Sequence, residues 1–174
     1  QWLSNHKEID TNQIKLLYVG RIKKEKGIYS LLEIIKDNKS GLKLSIVGAE
    51  KNFSNQIVQS NVSVHEVETN EQNLIKFYDD HSIFVLPSYT EGHPMALLEA
   101  LARLRPVIIF DEIKYVIGEK KGIFICKRNK ESFFLKVESI LKNYKQIQEE
   151  MKKNNLPTNR DFINDLHNSI QKTK

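Results

Sequence analysis

Two carboxylates on one short segment have the types and spacing for chemistry. Glu91 and Glu99 lie eight positions apart in Pro87-Ser-Tyr-Thr-Glu-Gly-His-Pro-Met-Ala-Leu-Leu-Glu-Ala-Leu-Ala102. The apolar run Ile83 to Leu86 before them reads as a buried strand. A turn follows. Pro94 then suits the first position of a helix, where its missing N–H would be unpaired anyway. The next amides, on Met95, Ala96 and Leu97, are expected to be free and to form an anion site at the helix N-terminus. Glu99 interrupts an otherwise apolar helix. Burying its carboxylate requires a hydrogen-bonding partner, and a pair of sugar hydroxyls would serve. Taken alone, each glutamate has an equally good bland reading: Glu91 as a solvated turn residue, Glu99 as a cap for a nearby loop.

A second candidate group follows the first strand, in Val19-Gly-Arg-Ile-Lys-Lys-Glu-Lys-Gly27. Gly20 permits close ligand approach. Arg21 has the fork geometry for a diphosphate, and Lys26 adds a point charge. Lys23 and Lys24 read as solvated charges. His93, inside the turn, is within reach of a ligand there. His6, His65, His81 and His167 are scattered, with His81 expected at a helix end. Gly48 reads as a tight turn after the second strand.

The elements that must position these groups alternate. Strands are expected at 14–19, 42–47, 61–65, 83–86, 107–110 and 122–126. Helices are expected from Gly27 to about Asp37, over 71–79, after Pro94, and from Lys130 to Met151 as one long amphipathic helix. Pro157 breaks that helix and a last one follows. This alternation implies right-handed βαβ units and a mostly parallel, doubly wound, six-stranded Rossmann-like α/β sheet. Such sheets bind ligands beyond the carboxyl ends of their strands, at the point where strand order reverses. The loops after Val19, Val47 and Leu86 are therefore the expected site.

The bulk properties exclude several classes. A chain of 174 residues with 40% hydrophobic content can build a real core. Its net charge of +5 suits nucleotide phosphates, anionic membrane or nucleic acid without choosing among them. One cysteine, Cys126, precludes an intrachain disulfide and a cysteine zinc site. No G-x-G-x-x-G follows the first strand and no G-x-x-x-x-G-K-[ST] is present, against dinucleotide and P-loop readings. No Asp-x-Asp or His/Cys cluster offers metal ligands. Aromatic interleaving within a basic patch is missing, so no nucleic-acid partner is expected. No apolar run reaches the roughly 20 residues of a membrane span, and no signal peptide is visible.

In this order the segments resemble the donor-binding, C-terminal domain of family four glycosyltransferases, the group 1 glycosyl transferases with the two-domain GT-B fold. The resemblance runs from about Ile14 to Ile125. It rests on Tyr18-Val-Gly-Arg-Ile22 with Glu25-Lys-Gly27, Leu44-Ser-Ile-Val-Gly48, Tyr78, Phe84-Val-Leu-Pro-Ser88, Glu91-Gly92, Leu98-Glu-Ala-Leu-Ala102 and Pro106-Val-Ile108. The paired glutamates at this spacing are the family's hallmark.

The resemblance implies a retaining transferase acting on a nucleotide diphosphate sugar without metal or other cofactor. Arg21 and Lys26 would hold the diphosphate and neutralise the leaving group. Glu99 would bind the ribose hydroxyls, and Glu91 would lie beside the transferred sugar. Gly92 and the amides around Pro94 would line the sugar and distal phosphate. It further implies a linker over 1–13 from an absent N-terminal domain that binds a glycan or lipid-linked acceptor, a donor domain over 14–156, and a helix over 157–174 returning toward that absent domain. The chain begins with Gln1 rather than Met and reads as a fragment, with little activity expected of it alone. A cytoplasmic location is expected, with contact at the inner face of an anionic membrane. Four positions depart from the family pattern. Leu104 stands where a Gly is usual, Glu50 replaces another Gly, Asp111-Glu-Ile-Lys-Tyr115 replaces a Gly-Gly loop, and His65-Glu-Val67 replaces Phe-x-Gly. Two alternatives stay open: a GT-B epimerase of nucleotide sugars, and a non-catalytic nucleotide-sugar-binding module.

Overall fold

The computed structural model describes residues 2–4, 6–9, 13–36, 41–50, 57 and 59–156. Six strands, β1 (Lys15–Val19), β2 (Lys43–Ala49), β3 (Val62–Glu66), β4 (Ile83–Leu86), β5 (Val107–Phe110) and β6 (Ile123–Cys126), form one sheet in the order β3-β2-β1-β4-β5-β6. Every pairing is parallel. Strand order reverses between β1 and β4, so the two loops carrying the candidate groups leave adjacent strands at the switch point. Among the described residues, five helices cover the sheet: α1 (Ile28–Ile35), α2 (Glu71–Asp80), α3 (Met95–Ala102), α4 (Lys130–Lys142) and α5 (Tyr144–Met151).

The strands divide their side chains between two cores, as the two-residue strand period requires. Leu16, Tyr18, Ile83, Val85, Ile108 and Phe110 pack with α1 and α4 residues such as Leu31, Ile35, Phe133 and Val137. Leu17, Phe84, Leu86, Val107 and Ile109 pack on the other face with Tyr78, Leu97, Leu101 and Met151. All four residues of β4 and of β5 are buried, the pattern of strands covered on both faces.

Three sequence expectations change. The expected long helix is two, α4 and α5, separated at Asn143 (φ −112°, ψ 19°). The break has a packing cause: Phe133, Val137 and Ile140 belong to one core, whereas Met151 belongs to the other, so the chain must turn around the sheet edge. Gly48 lies inside β2 rather than in a turn. At φ 119° it faces Gly20, and a Cβ there would sit 2.4 Å from the Gly20 carbonyl oxygen. Pro94 is the residue before the helix rather than its first, at φ −76°, ψ 86°.

Leu104 adopts φ 55°, a left-handed conformation that costs a non-glycine residue roughly 1–2 kcal/mol. That explains why glycine would suit this place. Leu104 offsets the strain by burying its side chain to 6% exposure. The described part of the expected 1–13 linker is docked on the domain. The Arg103 guanidinium donates to the carbonyls of Trp2 and Ser4, and Arg105 donates to that of Lys7. The expected final helix over 157–174 lies outside the described residues.

Candidate functional site

β1 delivers the chain to Gly20, whose amide donates to the Val47 carbonyl at 2.9 Å. Arg21 follows. Its carbonyl accepts from the buried Tyr18 hydroxyl at 2.7 Å, which fixes the backbone while the side chain stays exposed. A short 3-10 helix, Lys24–Lys26, ends at Gly27 with φ 67°. Only glycine fits there: an added Cβ would lie 1.9 Å from the Pro87 carbonyl oxygen. This close approach brings the loop after β1 against the loop after β4.

Lys26 and Glu91 meet where those loops touch. Lys26 Nζ donates to Glu91 Oε1 at 2.8 Å, and the fully buried Ser88 donates its hydroxyl to the same oxygen at 2.6 Å. The Glu91 side chain is 8% exposed and that of Lys26 25%. Glu91 is thus a partnered, nearly buried carboxylate and not a solvated turn residue. Its main chain is held as well: the Tyr115 hydroxyl accepts from the Glu91 N–H and donates to the Glu91 carbonyl, each at 2.8 Å.

Glu99 lies one turn along α3 in a different setting. The Tyr78 hydroxyl donates to Glu99 Oε2 at 2.7 Å, leaving Oε1 without a partner among the described residues. Burial raises the Glu99 carboxyl above its ordinary range, and the Tyr78 hydrogen bond only partly opposes this. No direct contact joins Glu99 to the Lys26–Glu91 pair among the described residues.

The turn between the glutamates is open. Gly92 and His93 are exposed, and a Cβ on Gly92 would meet nothing within 4 Å. The amides of Met95 and Ala96 have no acceptor among the described residues. The Leu97 amide, expected to be free, donates instead to the Pro94 carbonyl at 3.1 Å, and its side chain is in the core. The helix start therefore presents two free amides rather than three, because Pro94 supplies an early i→i+3 acceptor.

Three contributors were not among the sequence candidates. Ser88 and Tyr115 both reach Glu91, and Arg128 braces the floor. Its guanidinium donates to Ser30 Oγ and the Pro87 carbonyl, each at 2.8 Å, and forks onto Glu112 at 2.8 and 3.1 Å. It also lies over the rings of Tyr89 and Phe110, at 4.1 and 4.2 Å from their centroids. The Arg128 pairing holds the Glu112 carboxyl below its ordinary range.

A further cleft lies elsewhere. It lies between His6, Lys7 and Ile9 and the Asn143–Tyr144 junction, beside Leu104. That is the end of the domain where strands begin, the wrong end for a ligand of a parallel sheet. Among the described residues no three His, Cys, Asp or Glu side chains gather as metal ligands.

Comparison with known proteins decides the family. A family profile described as "Glycosyl transferases group 1" matches residues 3–156. The chain belongs to the group 1 glycosyl transferases. It is 36% identical over 95 residues to TuaC of Bacillus subtilis (strain 168), a candidate teichuronic acid biosynthesis glycosyltransferase; the match covers 55% of this chain and 24% of TuaC. It is 28% identical over 148 residues to the capsular polysaccharide biosynthesis glycosyltransferase CapM of Staphylococcus aureus, covering 78% of this chain and 38% of CapM. This group 1 domain also superimposes on a crystal structure of an S. aureus TarM mutant in complex with Fondaparinux, alpha-GlcNAc-glycerol and UDP. There the TM-score is 0.67 at 20% identity, over 95% of this chain and 37% of TarM. The chain spans well under half the length of these relatives.

Proposed function

We propose that this group 1 domain is the donor-binding half of a retaining glycosyltransferase. It moves a sugar from a nucleotide diphosphate sugar to a glycan or lipid-linked acceptor without a bound metal. The observation that carries the reading is the Lys26–Glu91 pair at the switch point, with exposed Arg21 in the same loop as Lys26 and two α3 amides that have no acceptor among the described residues. Cations and oriented amides at that place fit a diphosphate. The complex of TarM with UDP agrees in kind.

The chemistry follows from the donors available. An ammonium has three N–H donors, so Lys26 can keep Glu91 and still reach a phosphate oxygen. As the bond between the sugar's anomeric carbon and the diphosphate oxygen breaks, negative charge collects on the diphosphate. Arg21 and Lys26 meet it in a site already organised. The acceptor hydroxyl's oxygen bonds to the anomeric carbon on the face the diphosphate leaves, and its proton passes to the departing diphosphate oxygen. Glu91, beside the sugar, faces its developing positive charge. Glu99 takes the ribose hydroxyls on its free oxygen, and Gly20, Gly92, His93 and Pro94 line the approach. The acceptor binds to a further N-terminal domain, and the enzyme works in the cytoplasm, at the inner face of the membrane where the acceptor is lipid-linked.

The test is a thermal-shift screen of the full-length protein against UDP, GDP, ADP and their sugar conjugates, with and without EDTA. One nucleoside diphosphate and its sugar conjugate should raise the melting temperature, unchanged by EDTA. A flat response to all of them would reject the reading.

A further inference from the structure

The segment after β5 has no role in the site derived so far, yet it touches the site twice. Asp111–Val116 forms a kinked 3-10 stretch, pinned by the fully buried Ile113. From it Glu112 binds Arg128, which in turn holds the Pro87 carbonyl at 2.8 Å and the Ser88 carbonyl at 3.3 Å. Three residues on, the Tyr115 hydroxyl closes both bonds to the main chain of Glu91. The loop from Pro87 to Glu91 is thus tied at its two ends to the same segment. Ser88 and Lys26 hold the Glu91 carboxylate between them.

The geometry points to Tyr115 as a positioning residue for Glu91. The inference rests on the role given to Glu91 above. Tyr115 is 60% exposed, so its side chain adds little to the core. Its contribution is concentrated in the hydroxyl. Two hydrogen bonds to one residue's amide and carbonyl fix that residue's peptide planes, and through them the direction of its Cα–Cβ bond. A carboxylate that must sit beside a reacting carbon loses rate steeply when displaced by about 1 Å. Without the hydroxyl, Glu91 keeps Lys26 and Ser88 but its backbone is free to rotate. Nucleotide binding, which uses Arg21, Lys26, the α3 amides and Glu99, keeps all of its groups.

Tyr115→Phe removes the hydroxyl and leaves the ring. In the full-length protein, with whichever of UDP-glucose, UDP-N-acetylglucosamine and GDP-mannose gives turnover, the variant should lose about tenfold in kcat. Its affinity for the matching nucleoside diphosphate by calorimetry should stay within about twofold. The loss should vanish in a Glu91→Gln background, because a residue acting through Glu91 has nothing left to position. Unchanged kcat in Tyr115→Phe overturns the proposal. So does an equal further loss in the Glu91→Gln background, or a loss confined to nucleotide affinity. A Glu91→Gln enzyme that turns over normally instead removes the role of Glu91 itself. That result is distinguishable from an inactive Glu91→Gln beside a fully active Tyr115→Phe, which rejects Tyr115 alone.

Discussion

Glu91 and Glu99 belong to one motif, yet the fold treats them oppositely. Glu91 is held from four directions, by Lys26, Ser88 and both bonds from Tyr115. Glu99 has one hydroxyl partner on one oxygen and an unfilled second oxygen. Charge pairing satisfies the first carboxylate in the free protein. Burial without a cation leaves the second wanting a proton or a ligand. The contrast suits a group that must keep one geometry through bond breaking and a group that must wait for hydroxyls to arrive.

The largest way to break the contrast is to separate the two loops that hold Glu91. Gly27→Ala forces a Cβ toward the Pro87 carbonyl in a left-handed conformation. Backbone on both sides leaves little room to relax, so the loss should be roughly 3 kcal/mol or more of stability. Chemical denaturation of the variant checks it. A loss under about 1 kcal/mol would mean the loops separate easily and Glu91 is not rigidly held.

Next comes the carboxylate itself. Glu91→Gln should cost about 10²-fold in kcat, or about 2.7 kcal/mol, by analogy with removal of one preorganised electrostatic group. Nucleotide affinity should change little. Glu99→Gln should show the reverse split, raising KM more than it lowers kcat, since ribose contacts are the same in ground and transition states. Steady-state kinetics of the full-length enzyme decides. Exchanged phenotypes would exchange the roles.

A smaller effect is expected at the diphosphate. Arg21→Ala should weaken nucleoside diphosphate binding by about 1.5–3 kcal/mol, the range for a hydrogen bond to a charged group. Lys24→Ala should act only through screened long-range attraction. Equal losses by calorimetry would show that the loop after β1 attracts by net charge and has no specific clamp.

The sheet was legible because β4 and β5 are uninterrupted apolar runs between turn signals, and because glutamates, Arg21 and Lys26 fall just after strand ends. The break at Asn143 was not, since Phe133, Val137, Ile140, Tyr144 and Ile147 keep helical spacing straight through it. The periodicity says which residues are buried, not which of two cores receives them. Lys26 and Glu91 were each legible as candidates. Their pairing across 65 positions was not, and neither was the reach of Tyr115 or Arg128, because those contacts depend on how β4, β5 and β6 stack. Arg103 and Arg105 follow α3 directly in the sequence. Both are buried, on Asp79 and on backbone carbonyls, a tertiary arrangement with no local signature.

The smallest predicted effect sharpens the contrast most directly. Folding moves the Glu99 carboxyl above its ordinary value of 4.5, with burial the largest cause. A raised carboxyl binds its proton more tightly in the folded state than in the unfolded one. Above both values the ionised side chain carries the full cost of burial, and that cost disappears as pH falls through the folded value. Glu99→Gln removes the charge and keeps an oxygen for the Tyr78 hydroxyl. Near neutral pH the variant should therefore melt slightly higher than the natural protein, while binding nucleotide more weakly. The two melting curves should converge as pH approaches the ordinary carboxyl range. Glu91→Gln should give no such gain, because it leaves the Lys26 ammonium without its anion. Melting temperatures of the three proteins across the acid-to-neutral range measure this. If Glu99→Gln were the less stable form at neutral pH, the charged hydrogen bond from Tyr78 would outweigh burial, and both carboxylates would count as satisfied in the free protein.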